Sequence, residues 1–260
     1  MTISLSDAGK RFNREWIFRH LTYNFEKGGT YAITGPNGSG KSTLLQVIAG
    51  SMHTNEGIVH WAGGNTQLAI GNRQWAMANR QLPIANSHVS PKDKKWTISN
   101  GHMTMVDSSV NQASLAVGDW QLNSERVFRW ISIGAPYMEV VEEMTLTEFL
   151  NFHHGFKPFL NGLTTSSIIA ILGLEKAANK QIRYYSSGMK QRVKLGQAIF
   201  SDTPVILLDE PCTNLDAAGI ELYHRMVSEY CSGRLVIVSS NDKVEYRFCQ
   251  HQLSISEYKQ

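Results

Sequence analysis

The sequence predicts an α/β fold built on a parallel sheet. Two unbroken aliphatic runs carry most of that expectation: Val205-Ile206-Leu207-Leu208, which leads into Asp209-Glu210, and Leu235-Val236-Ile237-Val238, which leads into Ser239-Ser240-Asn241-Asp242. A strand that is apolar at every position is covered on both faces, as in a parallel sheet lined by helices. The third observation is Tyr31-Ala32-Ile33-Thr34, followed by a glycine-rich turn and by an apolar periodic run, Thr43 to Ala49, that stops at Gly50. That order is strand, loop, helix, glycine stop. Helical periodicity recurs over Leu146 to Phe152, Ser167 to Leu172, Gly188 to Phe200 and Ala217 to Tyr230, so helices lie between and after the strands.

The chain has 260 residues, enough to bury a large core, and its 25 basic against 22 acidic side chains leave a net charge of only +3. So small an excess argues against an electropositive nucleic-acid clamp, and no nucleic-acid partner is expected. No apolar stretch reaches the roughly 18 residues of a spanning helix, and Met1 to Lys10 lacks a basic-then-apolar secretory pattern, so the chain reads as soluble and cytosolic. Cys212, Cys231 and Cys249 are odd in number and form no CxxC pair, which excludes a disulfide scaffold and a zinc site. No base is evident beside Cys212, so all three read as inert thiols.

The stretch from residue 62 to 124 has a different composition. It is rich in Asn and Gln, holds Trp75, Trp96 and Trp120, and carries no catalytic pattern. Trp96 to Ser99, then Asn100-Gly101, then His102 to Val106 predicts a hairpin, because Asn-Gly favours a type I′ turn. The segment reads as an inserted β-rich or loop-rich unit, serving either as decoration near the β-rich region or as a partner contact.

Gly35-Pro36-Asn37-Gly38-Ser39-Gly40-Lys41-Ser42 fits GxxxxGK[ST] and lies between a buried strand and a helix start, which is the context a phosphate loop needs. Its glycines let backbone N–H groups turn inward around phosphate oxygens, and the helix N-terminus through Thr43 adds partial positive charge. Lys41 is expected to reach the β and γ phosphates and Ser42 to ligate Mg²⁺. Asp209, at the end of a buried strand, is placed to hold the Mg²⁺ shell, and Glu210 beside it to polarise an attacking water. These residues predict a P-loop NTPase using ATP and Mg²⁺.

The motifs in order resemble those of the ATP-binding-cassette (ABC) ATPases. Tyr185-Ser186-Ser187-Gly188-Met189, followed by Lys190-Gln191-Arg192, resembles the LSGGQ signature with its basic tail. Val205 to Pro211 follows at the family's spacing, and Thr213-Asn214-Leu215-Asp216 resembles the loop after it. The resemblance implies a RecA-like core with an antiparallel β subdomain and a helical signature subdomain. Residues 1–260 would form a single nucleotide-binding domain, with 1–61 and 185–260 as core, 62–128 as insert and 137–184 as the helical subdomain. It implies that two cassettes pair head to tail, as homo- or heterodimer, so that Ser186 and Gly188 of one face the γ-phosphate held by the other. It also implies an integral-membrane permease as partner and a peripheral position on the cytoplasmic face of the membrane. By the same resemblance Phe12 stacks on adenine, with Trp16 as rival and core packing as the plain alternative for either. The acidic run Glu139, Glu142, Glu143 and Glu148 is either a contact for a basic permease loop or a solvated helix face.

Two departures bear on rate. Pro136, followed by Tyr137, falls where the family has a glutamine that contacts Mg²⁺ and water, and proline supplies neither contact. Asn241 falls where the family has a histidine beside the γ-phosphate, and asparagine donates hydrogen bonds but carries no charge. A transporter ATPase with slow turnover is therefore expected. The alternatives are the ATPase of a soluble ABC-type machine and a degenerate regulatory subunit that binds nucleotide.

Overall fold

The computed structural model describes residues 1–63, 95–99, 102–106, 120–122 and 127–259. Its strands in chain order are β1 (Thr2–Phe12), β2 (Glu15–Phe25), β3 (Thr30–Thr34), β4 (Glu56–Gly63), β5 (Lys95–Ser99), β6 (His102–Val106), β7 (Trp120–Leu122), β8 (Ile131–Gly134), β9 (Val205–Asp209), β10 (Leu235–Ser239) and β11 (His251–Ser254). Its helices are α1 (Lys41–Ile48), α2 (Leu146–Phe156), α3 (Thr165–Leu172), α4 (Ser187–Phe200), α5 (Ala217–Tyr230) and α6 (Lys243–Tyr246). The chain divides into two compact units: Met1–Gly64 with Trp120–Gln260, and Asn65–Asp119.

The larger unit contains a five-stranded parallel sheet in the order β11-β3-β10-β9-β8 and an antiparallel sheet in the order β2-β1-β4-β7. The two aliphatic runs are its central strands, and their side chains alternate between two cores. Val205, Leu207, Leu235 and Ile237 pack with α1 and the antiparallel sheet, whereas Ile206, Leu208, Val236 and Val238 pack with α2 to α5. Each of these eight is fully buried, contributing about 1.5–3 kcal/mol of transfer free energy apiece.

Local chemistry sets the helix starts. Thr145 and Glu148 form a capping box on α2, Thr164 and Ser167 one on α3, and Asp216 accepts from Gly219 N at 2.8 Å to start α5. The cap at Thr164 starts α3 at Thr165, two residues before the expected helix, and α2 runs on past the expected Phe152 to Phe156. The C-terminal ends of α4 and α5 converge on one cation. Arg234, 8% exposed, donates to Ile199 O and Thr203 O at 2.6 Å, Ser201 O at 2.7 Å, Thr203 Oγ1 at 3.0 Å and Tyr230 O at 3.3 Å. A guanidinium there satisfies carbonyls that the helices leave open.

The parallel sheet aligns the ends of four strands. Ser239 is level with Asp209 on one side and Ile33 on the other, and Gly134 with Leu208. Gly35, Pro136, Glu210 and Asn241 therefore follow strands that end at the same sheet edge, the carboxyl end where open α/β sheets bind ligands.

The insert is shorter than the sequence suggests. Ala62 and Gly63 belong to β4, and Trp120–Leu122 is a strand, β7, whose three residues pair with Gly63, Ala62 and Trp61. Val127 is buried in the larger unit's core. Pairing over three residues leaves no alternation in the sequence to read. In the smaller unit β5 and β6 pair antiparallel with Ser99 opposite His102, the hairpin expected there; its turn, Asn100-Gly101, and Trp75 lie outside the described residues.

Candidate nucleotide site

The phosphate loop joins β3 to α1. Gly35, Gly38 and Gly40 have φ of 149°, 74° and 100°, in the left-handed region that favours glycine. At Gly40 the constraint is doubled, because a Cβ would lie 2.2 Å from Ile17 Cγ2. No side-chain cap closes the first turn of α1, which leaves its N-terminal dipole to a ligand. Lys41 is 5% exposed, and its ammonium is held by Gly35 O at 2.9 Å and Pro36 O at 3.2 Å, drawn back over its own loop. A cavity of about 250 Å³ is lined by Ile17, Asn37, Gly38, Gly40, Lys41, Ser42, Thr43 and Glu210. Sequence reasoning missed Ile17, its apolar wall, which β2 carries in from the antiparallel sheet.

Asp209 is buried at the end of β9, and its Oδ1 has no hydrogen-bond partner. Ser39 Oγ is likewise buried and unpartnered. Among the described residues no group of three or more His, Cys, Asp or Glu side chains is placed to hold a metal. A carboxylate oxygen and the Ser42 hydroxyl are hard donors that suit Mg²⁺, which keeps waters and phosphate oxygens in its shell. The residues present fit that ion.

Glu210 follows Asp209 with φ of 41°, an uncommon conformation for a non-glycine residue, and its N–H donates to Ser239 O at 2.9 Å. That bond ties the turn after β9 to the turn after β10. Asn241, on the latter turn, donates from Nδ2 to Asn37 Oδ1 at 3.0 Å, so it reaches the phosphate loop from 204 residues away in sequence. Pro136 offers only its carbonyl, which accepts from Lys194 Nζ at 2.6 Å. The phenol of Tyr137 next to it is pushed above the usual range mainly by burial, with the Asp209 charge adding to the shift and Gln46 on α1 opposing it.

The acidic run is engaged within the chain. Glu142 pairs with Lys190 at 2.6 Å, Glu143 with Arg183 at 3.3 Å, and Glu148 accepts from Thr145 N at 2.8 Å. Three of its four carboxylates therefore serve the basic face of α4, a neighbouring turn and a helix cap.

Ser186 and Gly188 stand away from the loop. Ser186 caps α4, accepting from Met189 N at 3.3 Å, so its oxygen has a structural use while its O–H remains a donor. A Cβ on Gly188 would lie 2.9 Å from Asn214 O, which fixes glycine there. Both residues line a separate cavity of about 590 Å³ with Lys176, Asn214 and Asp216. Phe12 is 46% exposed at the end of β1, with Lys10 Nζ 5.5 Å from its ring centroid, so core packing does not explain it. Trp16 is already engaged: the Arg11 and Arg19 guanidinium groups lie 5.4 and 4.6 Å from its ring centroid. Burial pushes the Cys212 and Cys249 thiols up to about 12 and Cys231 to about 11, so none is a nucleophile at neutral pH.

Residues 18–213 match the family model described as ABC transporter. ABC transporter I family member 1 of Arabidopsis thaliana is 25% identical over 233 residues, covering 88% of this chain and 77% of that protein. The cytochrome c biogenesis ATP-binding export protein CcmA of Xylella fastidiosa is 25% identical over 214 residues, covering 82% and 74%. Among solved structures, a putative ABC transporter ATP-binding protein from Pyrococcus furiosus superposes with a TM-score of 0.65 at 16% identity, covering both chains completely. A dimeric ATP-binding cassette in a post-hydrolysis state with ADP and Pi gives a TM-score of 0.63 at 19% identity over 97% of this chain and 93% of that one. With a parallel sheet carrying the phosphate loop, an antiparallel sheet beside it and a helical segment leading to the signature, the chain belongs to the ABC transporter family and has the fold of its ATP-binding cassettes.

Proposed function

We propose that the chain is the ATP-binding and ATP-hydrolysing subunit of an ABC transporter, working as one of two cassettes that close on ATP and drive an integral-membrane permease from the cytoplasmic face. The observation that carries this reading is the convergence at one sheet edge of Lys41, Asp209, Glu210 and Asn241, from the ends of three parallel strands.

The phosphate loop wraps the β and γ phosphates, with Lys41 turning from its loop carbonyls to the phosphate oxygens. Ser42 and Asp209 hold Mg²⁺, which draws charge from those oxygens when bound. Glu210 opens onto the same cavity and accepts the proton of the attacking water, while Asn241, anchored to Asn37, donates an uncharged hydrogen bond towards the γ-phosphate. Phe12 offers an exposed ring to adenine. Ser186, Gly188 and the start of α4 complete the site of a second cassette, homologous or identical. Because Pro136 supplies no side-chain donor and Asn241 no charge, turnover is expected to be slow. Loss of one such contact costs about 3 kcal/mol, roughly a hundredfold in rate.

Exposed aromatics support the permease reading. Phe128, Phe152 and Phe156 are exposed, and Phe152 and Phe156 stack edge to face at 4.9 Å. Beside them a groove of about 370 Å³ is lined by Phe128, Met138, His153 and Lys157. Exposed aromatic rings near a groove are surface that a protein partner would cover. No helix among the described residues is long and apolar enough to cross a membrane.

Steady-state ATP hydrolysis at a protein concentration that permits dimerisation, beside a Lys41→Ala control, tests the enzyme reading. Turnover above the control is expected; nucleotide binding without turnover favours the regulatory alternative. Co-purification with membranes and a permease is expected, and recovery only in soluble complexes would favour the soluble machine.

A further inference from the structure

Two buried side chains grip one peptide bond from opposite ends. Gln191, on α4 and 3% exposed, donates from Nε2 to Pro211 O at 2.8 Å. Glu245, on α6 and 5% exposed, accepts on Oε1 from Cys212 N at 2.8 Å. Pro211 O and Cys212 N belong to the same peptide unit, so its plane is fixed by one residue from the signature helix and one from the helix that follows Asn241.

The grip sits where the backbone needs it. Glu210, one residue earlier, is held at φ 41°, a conformation that costs a bulky residue free energy and persists only where the surroundings over-determine it. Its own N–H is fixed by Ser239 O, and Thr213 N returns to its carbonyl at 3.1 Å. The next peptide but one would be free to rotate without Gln191 and Glu245.

Glu245 is an expensive choice for a purely structural part. Its Oε2 is buried without a partner, and its charged neighbours are Asp242 and Glu210, both acidic. It is also fixed from behind, since its carbonyl accepts from Tyr223 Oη at 2.8 Å and its N–H donates to Asp242 O at 3.0 Å. A side chain with one tethered oxygen and a pinned backbone is a rigid link between the turn that carries Asn241 and the turn that carries Glu210.

We propose that Glu245 and Gln191 are positioning residues for hydrolysis: by clamping the Pro211–Cys212 peptide they hold the Glu210 carboxylate towards the cavity and couple it to α4 on one side and to the Asn241 turn on the other. The inference rests on the hydrolytic reading above for its effect on rate, but the clamp itself is testable without turnover. In the full chain, Glu245→Ala is expected to lower kcat about tenfold, the worth of one net hydrogen bond, with KM for ATP and the affinity for a fluorescent ATP analogue within about twofold of wild type. Glu245→Gln, which keeps an acceptor for Cys212 N, is expected to restore the rate. Gln191→Ala should reproduce the loss from the other end. In a Glu210→Gln background, Glu245→Ala should cost nothing further, because it acts through the residue already removed.

Amide hydrogen exchange across residues 210–214 reads the clamp directly. Exchange should be several-fold faster in Glu245→Ala and Gln191→Ala and normal in Glu245→Gln. The inference is overturned if both alanine variants keep wild-type exchange in this segment, or if Glu245→Gln is as slow an enzyme as Glu245→Ala. A wild-type chain without turnover would overturn the hydrolytic reading instead, and the exchange measurement would still decide the clamp.

Discussion

Replacing Arg234 by methionine should be among the most damaging single changes far from the nucleotide. The guanidinium has five acceptors, but they do not count equally. Thr203 Oγ1 also donates to Ser132 Oγ at 2.9 Å and keeps that partner, and Tyr230 O is the most distant, at 3.3 Å. Ser201 O, at 2.7 Å, keeps Thr203 N at 2.9 Å, whereas the carbonyls of Ile199 and Thr203, both at 2.6 Å, lose a charged donor at buried residues. Each abandoned carbonyl costs about 1–3 kcal/mol. Against this, the variant no longer buries a guanidinium, whose pKa is lowered by that burial. Two carbonyls abandoned by a charged donor put the net at about 3–5 kcal/mol. A chain of 260 residues has an unfolding entropy of roughly 0.5 kcal/mol/K, so the midpoint should fall by about 6–9 °C. Arg234→Lys should lose roughly half as much, since one ammonium cannot span the fork of acceptors. Thermal unfolding followed by far-UV circular dichroism measures the shift, with nucleotide affinity at 20 °C as a check that the folded variant retains its site. A fall of under 2 °C for Arg234→Met would refute the assignment of Arg234 as the cap on α4 and α5.

The remaining expectations concern the site and its pH dependence. Glu210→Gln should lower turnover at least a hundredfold with nucleotide affinity retained, and unchanged steady-state hydrolysis would remove Glu210 as the base. In that variant, saturating ATP with Mg²⁺ at about 100 times Kd should raise stability by about 2.7 kcal/mol, or roughly 5 °C, and chelating the metal should remove more than half of the shift; a shift indifferent to Mg²⁺ would contradict the placement of Asp209 and Ser42. Gly40→Ala should abolish nucleotide binding in an equilibrium fluorescence titration, because Ile17 occupies the position of the new Cβ. Burial, then the charges of Lys157 and His154, lowers His153 to about 4. The unfolded chain therefore takes up this proton first, and stability is lost as pH falls from about 6.5 towards 4, by about 3 kcal/mol at most. His153→Gln should flatten the difference in midpoint between pH 7 and pH 5, and an unaltered slope would show that other groups set it.

What the sequence made legible follows from how locally each feature is specified. The aliphatic runs at Val205 and Leu235 announce two-faced burial in their own composition, and the phosphate loop needs its glycines wherever it occurs. Partnerships across the chain were not visible. Glu142 reads as free surface charge until Lys190, 48 residues on, is placed beside it. Asn241 and Asn37 meet only because β3 and β10 are neighbours in register. Gln191 stood in the signature's tail without a distinguishing mark, and Glu245 carried no signal, because a clamp on a peptide bond has no spacing rule. β7, three residues long, is too short to alternate, so its pairing with β4 carries no sequence signal.

The distribution of unsatisfied groups explains why the site sits at this edge. Among the described residues the buried side-chain polar atoms without a partner are Ser39 Oγ, Asp209 Oδ1, His224 Nε2, Ser239 Oγ and Glu245 Oε2. Four of these belong to the phosphate loop, to the ends of β9 and β10, or to the helix that follows them. Glu210 adds backbone strain at the same place, and Lys41 is held by carbonyls that a phosphate would displace. Parallel strands concentrate these costs, because each ends its hydrogen-bond ladder at the same level and hands its next residue to solvent or ligand. The cores on the two sheet faces supply the stability against which an under-satisfied edge can be held open. In the proposed function a nucleotide with its cation would supply partners there, at the meeting point of three segments, residues 35–43, 209–212 and 239–245. The main-chain bond from Glu210 to Ser239 and the grip of Gln191 and Glu245 on the Pro211–Cys212 peptide already join two of them to α4. In the proposed function these bonds would be the route from the phosphates to the helix whose start carries Ser186 and Gly188.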